Sequence, residues 1–466
     1  MSTKIGCAVS RKDFMIAGSA FALGGCRLLS SRSPNSRLAH AAVGTANMAW
    51  KDICGLRSHP EIEMVAFCDV DAKFLARVKT EFPAARCYRD WREMLACEGD
   101  RIDSVSVSTP DHMHAAIASA ALRAGKHVYC QKPLSRHHDE MRLLRELAAS
   151  SGRVTQLGTQ IAASETDRTT VALLRSGVLG PVRHVWTFST RMGGSRRVRK
   201  LPVAAPVPEN LDWNSWLGVA AERPFSVGDY HPAMWRMWTD FGAGWVGDIC
   251  PHVFSSMWLG MDLKSAAPRT VLATVDPNTP GGELGRLTWP RYSHIKWTFD
   301  GVAATDGQPF EIEWSDGLLD EEGTPAEFLP DPKVLSVVSQ ARGGKELRQG
   351  KVIECELGYL VSPHLEGPVS IVMKKGAAAP ELPRIGDLRS HYHDYVDACL
   401  SGRAAYSDFA WSSYMCEAVA AGGVAERLPN RRHRWTASTR TFDSAEATAL
   451  TRTACREGWE IEGLKG

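Results

Sequence analysis

Ser104-Val-Ser-Val-Ser-Thr-Pro-Asp-His-Met-His114, followed after a short alanine-rich run by Lys126-His-Val-Tyr-Cys-Gln-Lys-Pro-Leu134, is the stretch that decides the fold. Val105–Ser108 reads as a buried strand, Thr109-Pro110-Asp111 opens a helix over His112–Ala124, and a second strand ends in Gln131-Lys132-Pro133. This βαβ unit places Lys132 at the carboxyl end of a parallel strand, the edge at which open α/β sheets bind ligands. Most lysines are solvated surface residues. One placed here, with Thr-Pro-x-x-x-His upstream, is assigned a catalytic or cofactor-facing role.

The same alternation extends in both directions. Leu38–Val43 reads as a short apolar strand breaking at Gly44, with helical residues to about Ser58 and a second strand, Glu63–Asp71, ending in acid. A Rossmann fold needs a tight glycine turn, a close backbone approach to pyrophosphate, and an acid some twenty residues on for the ribose hydroxyls. Of G-x-G-x-x-G only Gly44 is present; Ala46 and Ala49 hold the later positions, and a Cβ at the second one crowds the phosphates. The order strand, Gly44, helix, strand, Asp69 nevertheless predicts a dinucleotide site. A carboxylate at Asp69 repels a 2′-phosphate, which favours NAD over NADP. Tyr88–Leu95 reads as a loop entering a helix capped by Asp90. A further helix over 139–150 leads to Thr155–Gln160. Strands and helices alternating at these lengths specify a parallel sheet covered on both faces.

The 466 residues suffice for two domains. Net charge is +2, so there is no electrostatic footprint for nucleic acid, and no zinc-type Cys/His spacing occurs; no metal is expected. The twelve cysteines are scattered without a CxxC pair, which argues against a disulfide scaffold. Tryptophans cluster between Trp213 and Trp258, as core or as a wall on which sugar rings stack. At the N-terminus, Ser10-Arg11-Lys12-Asp13-Phe14-Met15 precedes an apolar run, Ile16–Leu23, and then Leu23-Gly24-Gly25-Cys26. This resembles a twin-arginine export signal, with Lys12 in place of the second arginine, and a lipoprotein-type box that would anchor a lipid at Cys26. Export to the periplasm is expected, with a cytoplasmic location as the alternative. The apolar run is too short for an ordinary membrane-spanning helix, and no integral membrane domain is expected.

Taken together, Asp69, Ser108-Thr109-Pro110-Asp111-His112-Met113-His114, Gln131-Lys132-Pro133, Gly158-Thr159-Gln160, Leu211–Gly218, Tyr230-His231-Pro232, Gly247-Asp248-Ile249-Cys250-Pro251-His252 and Arg456–Trp459 resemble the Gfo/Idh/MocA oxidoreductase family. The resemblance implies an α/β fold: an N-terminal Rossmann doubly wound parallel sheet, then a C-terminal α/β domain with a large, open, mostly antiparallel sheet. The organisation it implies is a leader and linker (1–36), an NAD-binding domain (37–157), a substrate and oligomerisation domain (158–435), and a tail packing back on the fold (436–466). A homo-oligomer is expected. Segments 182–190, 269–275, 292–299, 309–313 and 369–374 read as the strands of the second sheet, and 391–400 and 412–427 as helices.

The resemblance further implies cofactor contacts at Gly44, Thr45, Ala46, Asn47, Met48, Asp69, Ser108, Thr109, Pro110, His114, Gln131, Lys132 and Gln160. It sets Lys132 beside the nicotinamide and substrate, with Asp248 and His252 flanking the reacting carbon. The residue types suit alcohol oxidation: an imidazole takes the hydroxyl proton, an ammonium stabilises the alkoxide, and a carboxylate orients them. Tyr230, His231, Trp235 and Arg236 are candidate substrate walls. The family usually has Glu-Lys-Pro where this chain has Gln131-Lys132-Pro133. The leading function is an NAD-dependent oxidoreductase acting on a secondary hydroxyl of a sugar, glycoside or cyclitol, with tightly held cofactor. A redox-neutral glycosidase or epimerase working through a keto-sugar, and a non-catalytic carbohydrate-binding protein, remain as alternatives.

Overall fold

The computed structural model describes residues 37–190, 198–279, 281–316, 330–365, 367–376, 378–386 and 388–464; the export leader and Cys26 lie outside them. Strands β1 (Leu38–Val43), β2 (Ile62–Cys68), β3 (Arg86–Tyr88), β4 (Ser104–Val107), β5 (His127–Gln131) and β6 (Thr155–Gly158) make a six-stranded sheet in the order 3-2-1-4-5-6. All its pairings are parallel. β4, β5 and β6 are buried throughout, as expected for strands covered on both faces.

Helices α1 (Met48–Arg57), α2 (Ala72–Glu81), α3 (Trp91–Glu98), α4 (His114–Arg123) and α5 (His138–Ser151) make the crossovers. Asp90 caps α3 through the Arg92 amide at 2.8 Å. Tyr88, read from sequence as loop, instead ends the short edge strand β3. The strand order reverses between β1 and β4, which opens a crevice above their carboxyl ends.

After α6 (Glu165–Ser176) the chain builds a nine-stranded sheet. Its strands are β7 (Val182–Ser189), β8 (Thr270–Val275), β9 (Ser293–Phe299), β10 (Phe310–Ser315), β11 (Gln349–Cys355), β12 (Gly358–Pro363), β13 (Ser370–Met373), β14 (His433–Thr436) and β15 (Thr441–Phe442). The order is 13-12-11-7-10-9-8-14-15, antiparallel except where β10 runs parallel to β7. Alternation sets its faces. Ile295, Trp297, Phe299, Ile312 and Trp314 are buried in one core with residues of α7 (Gly244–Gly260). His294, Lys296, Glu311 and Glu313 alternate with them and are less buried. α8 (Pro332–Ala341) packs Val334, Val337 and Val338 against Phe188, Val352 and Val361.

Two helices near the C-terminus join the halves. α9 (His391–Ser401) contributes Tyr395, Val396 and Ala398 to a core with Leu38 of β1 and Ile53 and Leu56 of α1. α10 (Phe409–Arg427) lies in the other core, where Trp297 donates to the Ala418 carbonyl at 2.8 Å. The C-terminal segment returns to the first sheet's helices, with Trp459 buried and stacked under Arg92 at 4.1 Å. No helix among the described residues is long and apolar enough to cross a membrane.

Candidate active site

A cleft of about 450 Å³ runs along the carboxyl ends of β1, β2, β4 and β5 and is closed on its far side by residues of the second domain. At its first end, Gly44 turns the chain with φ +91, and a Cβ there would lie 2.5 Å from the Ser108 carbonyl oxygen. Only glycine satisfies both constraints. The chain then enters α1, whose N-terminus has no side-chain cap and no acid in its first turn. Its free N–H groups and dipole suit a phosphate. Ala46, Asn47 and Met48 line the cleft here, and the left-handed turn falls on Asn47, at φ 52. Thr45 is turned toward Asp69, whose carboxylate accepts the Thr45 amide and hydroxyl at 2.9 Å each and the Asp71 amide at 3.0 Å.

Asp71, two residues on, is clasped from the second domain. Asn210 donates to it at 2.7 Å and the His231 Nε2 stands 3.0 Å away. His231, proposed from sequence as a substrate wall, thus sits at the β2 end of the cleft, against Phe74. Tyr230 does not line the cleft; it is buried among Trp213, Trp216, Trp238 and Phe241. The tryptophan cluster is therefore core, although Trp216, Trp235 and Trp245 touch the cleft.

At the other end stand the three residues proposed for catalysis. Lys132 Nζ lies 2.5 Å from Asp248 Oδ1 and 2.9 Å from the Asp248 carbonyl oxygen. Asp248 and His252 are four apart on α7, hence on one face, and both line the cleft with Trp235 and Arg236. Burial raises the Asp248 carboxyl, but the Lys132 and Arg236 cations outweigh it and hold the group well below the carboxylate range. Burial, with His364 and Lys132 nearby, keeps the His252 imidazole far below its ordinary pKa and so neutral. Asp111 accepts the Ala243 amide at 3.0 Å, and burial pushes its carboxyl up to about 7.

Gln131, Ser108 and Gln160 do not turn their polar groups freely to the cleft. All three donate to Asp52 of α1: Ser108 at 2.8 Å, Gln131 at 2.8 and 3.0 Å, Gln160 at 3.3 Å. Tyr392 adds a fourth donor at 2.9 Å and Tyr129 a fifth at 3.4 Å. His114 is spent on two carbonyls, of Pro133 at 2.8 Å and Thr109 at 3.0 Å, which ties the Thr109-Pro110 loop to the end of β5.

Sequence reasoning missed Asp52, His364 and Gln349. The last two flank the β11–β12 hairpin, which went unread, and both line the cleft near its reaction end. Asp52 carried a signal: α1 buries Ala49, Asp52, Ile53 and Leu56, a helical core stripe with one carboxylate in it.

Comparison with known proteins agrees with this geometry. Residues 38–159 match the model of the Gfo/Idh/MocA "Oxidoreductase family, NAD-binding Rossmann fold". An uncharacterized oxidoreductase of Rhizobium meliloti, ORF334, is 32% identical over 144 residues, covering 31% of this chain and 42% of that protein. Inositol 2-dehydrogenase of Rubrobacter xylanophilus is 30% identical over 129 residues, covering 27% and 36%. The aligned stretch thus spans less than half the length of each of these curated relatives. Among solved structures, an inositol dehydrogenase homologue from Azotobacter vinelandii complexed with NAD+ superposes with a TM-score of 0.58 at 17% identity, over 86% of this chain and 98% of that one. Residues 38–159 are accordingly similar to the NAD-binding Rossmann domain of the Gfo/Idh/MocA oxidoreductase family.

Proposed function

We propose that the protein is an NAD-dependent oxidoreductase acting on a secondary hydroxyl of a sugar, glycoside or cyclitol. The observation that carries this reading is the Lys132–Asp248 pair, one helical turn from His252, at the end of the same cleft whose other end is built for a dinucleotide. The names of the inositol dehydrogenases among its relatives point to the same class of alcohol. The cofactor, when bound, supplies the hydride acceptor. The chain's own residues handle the proton and the charge. An ammonium has three donors; Lys132 gives two to Asp248, and the third is available to the substrate oxygen, where it stabilises the developing alkoxide. His252, held neutral, is the proton acceptor for the hydroxyl. Asp248 holds the Lys132 ammonium in place.

NAD rather than NADP is the expected cofactor. Asp69 and Asp71 stand at the β2 end, and the described cleft-lining residues there include no lysine or arginine to receive a 2′-phosphate. The clasp of His231 and Asn210 on Asp71 favours a cofactor that is retained, and retention suits a redox-neutral cycle as the second reading. Mass spectrometry of nucleotide released on denaturation tests the first point; about one NAD or NADH per chain is expected. A panel of sugars, glycosides and inositols then separates the two readings. Net oxidation develops reduced-nicotinamide absorbance, whereas a closed cycle converts substrate without it. A protein that neither carries nor takes up NAD is a binding protein instead.

A further inference from the structure

Among the described residues lining the cleft, Lys132 and Arg236 are the only lysine or arginine, and both stand beside Asp248. Their donors are spent very differently. Lys132 is committed to Asp248 through two short contacts. Arg236 has five N–H donors in a planar fork and, among the described residues, only two polar contacts, both at the limit of hydrogen-bonding distance. Nε lies 3.5 Å from Asp248 Oδ1, and one terminal nitrogen lies 3.5 Å from the Ala233 carbonyl oxygen.

The guanidinium is nonetheless held in place. Its carbon lies 4.2 Å over the ring of Trp235, a buried side chain. Stacking occupies the flat face and leaves the edge, where the donors are, for an acceptor in the same plane. Carboxylates and phosphates both meet two parallel N–H groups at once, and of the two only the carboxylate is flat enough to lie wholly in that plane.

The charges at this end point the same way. Asp248 is ionised and answers one of the two cations. Asp111, the second acid, titrates at about 7, because burial raises it against the fields of Arg236 and Lys132, so near neutrality it answers only part of the other. His252 is neutral. At most one positive charge is left over, which matches a monoanion better than a phosphate dianion.

We infer that the substrate carries a carboxylate, as in a uronic acid, an aldonic acid or a carboxylated cyclitol, and that the edge of Arg236 binds it while Lys132 holds the reacting hydroxyl. This rests on the oxidoreductase reading above and narrows its substrate class. The test is calorimetric titration of the NADH-loaded protein with methyl glucuronoside, methyl glucoside and glucose 6-phosphate. The first two share a ring and differ only in a carboxylate against a hydroxymethyl group.

The uronoside is expected to bind tighter than both others by about tenfold or more, the size of one charge-assisted hydrogen-bonded pair. Arg236→Gln is expected to shrink that preference to within about twofold, and Arg236→Lys, which keeps the charge and loses the fork, to fall between. Equal affinity for uronoside and glucoside overturns the inference, as does preference for the phosphate, or no sugar binding while NADH is held. A preference that survives Arg236→Gln overturns it too. A protein that holds no NADH overturns the oxidoreductase reading beneath it instead.

Discussion

Gln131 and Lys132 are neighbours at the end of β5, and each serves a different carboxylate. Gln131 donates to Asp52 on the α1 side, and Lys132 to Asp248 on the α7 side. Asp52 is fully buried and Asp248 lines the cleft, and their ionisation moves in opposite directions. Burial raises Asp52 to about 6 even though Ser108, Gln131, Gln160, Tyr129 and Tyr392 all point donors at it. Burial acts on Asp248 as well, but two neighbouring cations overcome it. Five neutral dipoles thus do less for a buried carboxylate than one ammonium in contact and a guanidinium near it. The α1 side is a saturated brace; the α7 side keeps a permanent charge where a substrate oxygen can use it.

Lys132→Gln makes the second environment resemble the first, and carries the largest expected effect. Turnover should fall by about a hundred- to a thousandfold, the usual cost of losing one donor to a developing oxyanion. The brace at Asp52 and the loop at Gly44 are untouched, so NADH binding should persist. Single-turnover kinetics beside fluorescence titration checks both; equal loss of binding and turnover would mean that Lys132 holds the fold rather than the alkoxide.

Asp52 comes next. Asp52→Leu leaves several buried donors without an acceptor, and an expected loss of about 2–4 kcal/mol follows from the desolvation of those groups; urea denaturation measures it. Asp52→Asn is milder and separates charge from hydrogen bonding through pH. The folded pKa of about 6 lies above the ordinary aspartate value near 4. Between them the folded chain holds the extra proton, so this group's contribution to stability falls as pH rises across that window. Buried histidines act in the opposite sense. Burial holds His40, His112 and His391 down to about 3, so these groups add stability as pH climbs toward 6.5, against the raised carboxyls of Asp111 and Glu426. Without the Asp52 contribution, the slope of stability against pH should be more positive in the variant than in the wild type between about pH 4 and 6. Parallel curves would show that Asp52 keeps its ordinary pKa.

The two sides also differ in how far sequence alone reveals them. Lys132 was singled out by its place at the end of a βαβ unit, and Asp248 and His252 by the family resemblance of their stretch; the structure brings all three to one cleft. The parallel sheet was legible because doubly covered strands are continuous apolar runs, such as Val128-Tyr129-Cys130. Asp52 was hidden by its company. Its partners Gln131, Gln160 and Tyr392 lie 79, 108 and 340 residues away, and no local pattern connects them. The β11–β12 hairpin escaped for a similar reason. Val352-Ile353 is a short apolar run flanked by Lys351 and Glu354, and Lys351 turns inward only because Asp167 of α6 awaits it at 3.1 Å. With that hairpin went His364. Tyr230 shows the converse error, since an aromatic beside histidine reads as a sugar wall until three-dimensional packing spends it on Trp213, Trp216 and Phe241.

The smallest expected effect lies at the dinucleotide end, in the loop that lacks its later glycines. The backbone there still needs a residue at positive φ, and Asn47 supplies it at φ 52 and ψ −116, a region that costs a side-chain-bearing residue about 1–3 kcal/mol. Its side chain makes no capping bond in return. Asn47→Gly relieves the strain but adds freedom to the unfolded chain, so a net gain of about 1 kcal/mol or less is expected, read as a rise in the denaturation midpoint. Gly44 offers the control: Gly44→Ala meets the Ser108 carbonyl at 2.5 Å and should destabilise the sheet itself. If Asn47→Gly were to weaken NADH binding severalfold while stabilising the fold, the strain would belong to the site, with the exposed Asn47 amide contributing to the phosphate cradle. Unchanged binding would leave Asn47 as a poor substitute for glycine, tolerated because the saturated brace beneath α1 holds that helix where the phosphates need it.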